Sequence, residues 1–321
     1  MSSIKWGYSM SQWNTYSNTA RREEIERAFK VISICSCRGV ELVVGTSRWE
    51  PLGRPELIDI NFGSPQAFNS FLKACNLDKV TGWYYDPGMP SLEENSFYRN
   101  PSDPSHHQGI VDALLPFAQY LKALDGEYIL VRPMGSYWRH APITEEMIRQ
   151  AGACWNKVGQ MTREYGIRTI MHIDWLCAIH SEADIASLLN ATDPKLVGFA
   201  VDTAELTIAG LDPIAIYEKF ADRTELFHFK DVQVTDTLDE YKNELADNIL
   251  QNGGKRKIGR WYWEMGRAEG LVNFPELMKR LYAKGYDGWV IIDSSQSPNP
   301  AESAMLNNWY IKNVLTKTGT G

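Results

Sequence analysis

Four short apolar runs in this chain end in side chains that can hold a metal or move a proton. GIRTIMHID ends in His172 and Asp174, LVGFAVDTAE carries Asp202 with Glu205 just beyond, and ELFHFKD carries His228, Lys230 and Asp231. The fourth run, GWVIID, ends in Asp293. Mixed imidazole and carboxylate ligands suit Mn²⁺, Co²⁺, Fe²⁺ or Zn²⁺ better than Mg²⁺ or Ca²⁺, which prefer all-oxygen sites. A metal held there would polarise a carbonyl oxygen, and a neighbouring carboxylate or imidazole could then work as general base or acid. Any one of these residues alone reads better as a hydrogen-bonded polar group at a strand end. Four that converge read as a site.

The convergence depends on the elements that carry them. Residues 166–231 read as strand, helix, strand, helix, strand, with helix-spaced apolar residues in ADIASLL and PIAIYEKF. Side chains alternate along a strand. Gly198, Ala200 and Asp202 therefore share one side, and Val197, Phe199 and Val201 the other. The bulky set should face outer helices and the small set a barrel axis. The same parity turns Leu226, His228 and Lys230 inward, together with Trp289, Ile291 and Asp293. His172, Asp202, His228 and Asp293 then meet at one end, and Asp174 joins them if the fifth strand runs that far.

Upstream, strands are expected at 4–10, 39–45, 79–85 and 128–133. Helices fall at 21–36 (capped by Thr19), from 64, at 108–124 and at 144–165. Helices at 274–284 and 302–315 flank the last strand, 288–293. Eight alternations of strand and helix make an α/β fold, a (β/α)8 TIM barrel, with residues 1–321 as one domain. Two connections are too long for ordinary loops: 86–106 after the third strand and 232–271 after the seventh. Both leave the strand ends that carry the active sites of such barrels, so both are expected to cover the mouth. The aromatic flank Trp83, Tyr84, Tyr85, Phe97 and Tyr98 argues that the first is an ordered lid.

Other candidates follow from position. Glu205 and Asp174 are candidate bases, as is His172 if it is not a ligand, although Glu205 reads equally well as a solvent-facing loop residue. His140, in a loop with Trp138 and Arg139, is a candidate acid. Glu41 is the one carboxylate in an apolar strand, and Arg132 ends the fourth strand. Trp13 and Trp138, like Trp83, Trp261 and Trp263, fall on loops or strand ends, where aromatic faces suit sugars. Glu41, Arg132, Trp138 and Trp13 are thus the candidate substrate contacts.

Composition narrows the partners. With 321 residues, 44% of them hydrophobic, the chain can bury a large core. A net charge of −7 opposes binding to a phosphate backbone, so no nucleic-acid partner is expected. The five cysteines are irregularly spaced, which suits reduced thiols and a cytoplasmic location. The N-terminus has no charged-then-apolar signal region. No apolar run approaches the ~18 residues of a membrane span. A homo-oligomer is compatible with all of this.

The chain resembles the xylose isomerase-like TIM-barrel superfamily, whose members include sugar isomerases and epimerases, inosose dehydratase, lyases of 3-keto-glycosides and endonuclease IV. The resemblance covers nearly the whole chain. It is carried most by GFAVDTAELTIAGLDPIAIYEKFADRTELFHFKDV and GYDGWVIID. It implies Asp202 and His228 as ligands of one divalent metal, Mn²⁺ foremost, and Lys230 as a residue that meets substrate. The ligands on the fifth and eighth strands are commonly Glu in that superfamily, and here they read His172 and Asp293. In its epimerases the two Glu residues also exchange the substrate proton on opposite faces. Glu205 stands where the superfamily has a substrate-binding His. Lacking the Glu pair, the chain is expected to catalyse β-elimination from a keto-sugar, 3-keto-glycoside or cyclitol. The alternative is a sugar isomerase or epimerase working through a metal-bound enediolate. The endonuclease role is disfavoured by the acidic balance and by only six histidines. A non-catalytic binding barrel would be marked by metal loss at neutral pH and no exchangeable substrate proton.

Overall fold

A computed structural model describes residues 4–11, 13, 21–45, 50–88 and 99–318. Thr19, Phe97 and Tyr98 lie outside the described residues. Eight parallel strands close into a barrel. In chain order they are Lys5–Ser9, Gly39–Val43, Lys79–Tyr85, Tyr128–Val131, Arg168–His172, Val197–Asp202, Thr224–Phe229 and Trp289–Ile292. Each pairs with its sequence neighbours, and the first pairs with the eighth.

Alternation along the strands sorts the core as the sequence parity requires. Tyr128, Leu130, Ile170, Ala200, Leu226, Trp289 and Ile291 pack together inside the barrel. Val197, Phe199, Val201, Phe227, Phe229, Val290 and Ile292 belong to the larger core between strands and helices. The helix Glu145–Glu164 shows how the outer layer forms. Thr144 caps it by accepting the Met147 N–H at 3.2 Å. Its buried Ile148, Ala151, Trp155, Val158 and Thr162 recur at three- and four-residue spacing. Gly166, at φ 75°, reverses the chain into the fifth strand.

Several boundaries shift from the sequence expectation. The fifth strand stops at His172, so Asp174 sits in the turn beyond it, accepting the Leu176 N–H at 3.0 Å. Residues after Asp202 coil into a helix, Thr203–Ile208, rather than a loop. A four-residue helix, Tyr137–His140, follows the fourth strand. The charged first half of the 232–271 insertion forms two 3₁₀ stretches, Glu240–Lys242 and Glu244–Asn248, instead of a regular helix. Its second half returns as Tyr262–Trp263, antiparallel to Asp231–Val232. All five cysteines are buried free thiols. No helix among the described residues is long and apolar enough to cross a membrane.

Candidate active site

Asp202 is the hub of the C-terminal mouth, because its two oxygens do different work. Oδ1 accepts the backbone N–H groups of Ala204 and Glu205, each at 3.0 Å, and so caps the helix Thr203–Ile208. Oδ2 faces His172 Nε2 at 3.0 Å, Lys230 Nζ at 3.2 Å and His228 Nδ1 at 3.6 Å. Burial acts to raise its pKa. Lys230, His172 and His228 outweigh that and hold the carboxyl below the usual range.

His172, Asp202 and His228 each offer one ligand atom, and those atoms lie within 4.8 Å of one another. All three residues are buried. His228 Nε2 meets Glu41 at 3.1 Å, and the Nδ1 atoms of both His228 and His172 are buried without a hydrogen-bond partner. Two imidazoles and a carboxylate, with His228 Nδ1 unpartnered 3.6 Å from Asp202, make a donor set that fits a divalent transition metal.

Asp293 lies beside this trio. Its Oδ1 accepts from Ser11 Oγ at 3.1 Å and Ser295 Oγ at 2.7 Å, and its Oδ2 meets Lys230 Nζ at 3.1 Å. Lys230 Nζ also meets Glu205 Oε1 at 2.8 Å and lies 4.3 Å from the centre of the Tyr262 ring. Burial favours neutral lysine, but Asp202, Asp293 and Glu205 outweigh it and keep Lys230 charged. Glu205 is 4% exposed, which removes the solvent-facing reading of this residue. Its Oε2 accepts the Trp175 N–H at 3.1 Å. Burial raises its pKa despite Lys230. Asp293 differs in direction: burial is outweighed by Lys230 and His228, and its pKa falls.

A cavity of about 280 Å³ opens over these groups, lined also by Glu41, Tyr84, Arg132, Asp174, Trp175, Asp247, Leu250 and Tyr262. Arg132 pairs with Asp174 at 2.6 Å and Asp86 at 3.1 Å. Asp174 is thereby an ion-pair partner at the wall. Asp247 pairs with Arg139 at 2.6 Å and accepts the Ser136 hydroxyl.

Four sequence candidates are not among the residues that line this cavity: Asp202, whose side chain is fully buried, and three others. His140 ends the short helix after the fourth strand, with Nε2 against Gly135. Burial, then Arg132 and Arg139, lower its pKa. Trp138 stacks under Arg139 at 4.2 Å. Trp13 is 6% exposed and belongs to the main core. The stacking reading of other tryptophans also changes. Trp83 packs edge-on against Phe117, Trp261 lies 5.0 Å from Trp175, and Trp263 lies between Arg260 and Arg267. Tyr262, between the last two, faces the cavity instead. The alternation of the WYW run in a strand was the available signal. Asp247 and Leu250 carried no comparable one.

A family model described as xylose isomerase-like TIM barrel matches residues 29–309, and the chain belongs to that family. Among curated proteins it is similar to an inosose dehydratase of Lacticaseibacillus casei, 28% identical over 158 residues, 48% of this chain and 50% of that protein. An inosose dehydratase of Clostridium beijerinckii is 30% identical over 169 residues, 51% of this chain and 52% of that protein. The chain thus spans about half the length of these curated relatives. Among solved structures, a probable 3-DHS dehydratase from Bacillus anthracis superposes with a TM-score of 0.71 at 13% identity, covering 97% of this chain and 100% of that one. The IOLI protein with a bound zinc atom gives a TM-score of 0.71 at 12% identity, covering 98% and 99%. At such identities the likeness is one of fold.

Proposed function

We propose that this chain is a divalent-metal-dependent lyase that eliminates a β-substituent from a keto-sugar, a 3-keto-glycoside or a cyclitol ketone. A metal held by His172, Asp202 and His228 would polarise the substrate carbonyl and acidify the neighbouring C–H. Glu205 takes that proton at Oε1, with Oε2 anchored by the Trp175 N–H. Lys230 keeps its charge through Asp202 and Asp293 while this happens. The Tyr262 hydroxyl, which shares the cavity with Glu205 and is held protonated by burial and by that carboxylate, protonates the departing oxygen and recovers its proton from Glu205. The proton taken from carbon thus leaves with the β-oxygen, and no net proton is gained or lost. Tyr262 replaces His140 as the acid, since His140 lies away from the cavity.

The unequal carboxyls around Lys230 carry the preference for elimination. Epimerisation needs a base on each face of the substrate. Asp293 is bonded by two hydroxyls and an ammonium with its pKa lowered, whereas Glu205 alone has a raised proton affinity. The inosose dehydratase relatives support the same class. The second reading is a sugar isomerase or epimerase with Asp293 as the other base. Incubation with inososes and 3-keto-glycosides in the presence of Mn²⁺, Co²⁺ or Zn²⁺ should give an unsaturated ketone, read by its ultraviolet absorbance. Glu205→Gln should lower that rate by at least about 100-fold and leave metal content unchanged. Rapid epimer interconversion in D₂O with no unsaturated product would decide for the second reading.

A further inference from the structure

We infer that Glu41 is a positioning residue for His228: it holds the ring in the Nε2–H form and leaves the Nδ1 lone pair facing Asp202. The use made of that lone pair rests on the metal reading above.

Glu41 is fully buried in the second strand, where an unpaired carboxylate would be costly. One oxygen, Oε2, takes both of its contacts, from the Tyr128 hydroxyl at 2.9 Å and from His228 Nε2 at 3.1 Å. Oε2 is already the acceptor for the Tyr128 hydroxyl, and with the same oxygen facing the ring the geometry makes Nε2 the donor. On the other side of the ring, Nδ1 has no hydrogen-bond partner and lies 3.6 Å from Asp202 Oδ2. That separation is too long for a hydrogen bond and leaves room for an ion bound to both. The His172 ring lies 5.0 Å from the His228 ring and completes the trio.

The arrangement is built into the sheet. The pairing of the second and third strands shifts register between Val40 and Glu41, which sets Glu41 beside Gly82. A Cβ at Gly82 would stand 2.3 Å from the Tyr128 ring. Only glycine there lets the tyrosine lie across the barrel with its hydroxyl on Glu41. Thr81 Oγ1, 3.0 Å from that hydroxyl, fixes it further. A chain of contacts thus runs from Gly82 through Tyr128 and Glu41 to His228. A carboxylate behind a ligating histidine fixes its tautomer and raises its basicity.

The test has two arms. In metal-free wild type, ¹⁵N NMR of the His228 ring, above the pH at which it becomes neutral, should show the proton on Nε2. A proton on Nδ1 would overturn the inference, whether or not the protein binds metal. In the second arm, Glu41→Gln, shown to be folded by circular dichroism, should bind Mn²⁺ or Zn²⁺ about 10- to 100-fold more weakly by calorimetry. Wild-type affinity in Glu41→Gln would overturn it. A wild type that takes up no metal would instead sink the proposed function, and the NMR arm would then decide this inference alone.

Discussion

At the scale of the residue, one oxygen of Asp202 gathers His172, His228 and Lys230. A divalent metal held by this trio would share the carboxylate with the ammonium, and imidazole donors would favour transition metals over Mg²⁺. His228→Ala is expected to lose most of the bound metal, because it removes the Nδ1 donor. It should keep the fold, because the barrel interior is packed by Ala200, Leu226, Trp289 and Ile291 around it. Metal analysis after gel filtration, with circular dichroism, checks both halves. Full occupancy would remove His228 from the ligand set.

At the scale of the element, the 232–271 insertion shapes the mouth and is tied down at both ends. Asp231 Oδ1 accepts from Val272 N at 3.2 Å and Oδ2 from Gly266 N at 3.3 Å. In the middle, Tyr241 stacks on His180 at 3.6 Å. Burial outweighs the backbone donors and raises the Asp231 pKa from 3.8 to about 6. The folded state then binds more protons than the unfolded state between those values, so this group's contribution to stability falls as pH rises from about 4 to 6. The shift corresponds to roughly 3 kcal/mol. Asp231→Asn stays neutral throughout. Relative to wild type, its melting temperature should therefore be higher at pH 7 than at pH 4. A difference that does not change with pH would show that Asp231 titrates normally.

At the scale of the whole molecule, the barrel brings Asp202, Glu205 and Asp293 to one end around Lys230, and Glu41 to the neighbouring His228. An ion that binds this end only when the barrel is closed stabilises the whole fold by mass action. Free metal at about 100 times its Kd should add roughly 2.7 kcal/mol, a rise of about 4 °C in melting temperature for a chain of this size. Chelation should reverse the rise, and His228→Ala should abolish it. Equal shifts in wild type and His228→Ala would place the metal elsewhere.

The sequence by itself determined the barrel and much of its inner face. Strand and helix periodicities are local, and the parity that turned Ala200, Asp202, Leu226, His228 and Ile291 inward follows from a two-residue repeat that tertiary contacts do not alter. Strand ends were less legible: the fifth strand stops at His172, because the Asp174 side chain closes a turn on the Leu176 N–H and pairs with Arg132. Only the tertiary structure decided how the carboxylates divide their work. Glu205 is buried because a helix, not a loop, starts on Asp202, and Asp293 faces Lys230 because Ser11, far away in sequence, holds it there. Tyr262 and Asp247 reach the cavity from an insertion whose path is set by long-range contacts with Asp231, His180 and Arg139. Glu41 becomes a partner of His228 through a register shift and a missing Cβ at Gly82. Composition and periodicity carry no trace of such features, because they depend on the distance between strands and not on the order of residues along one.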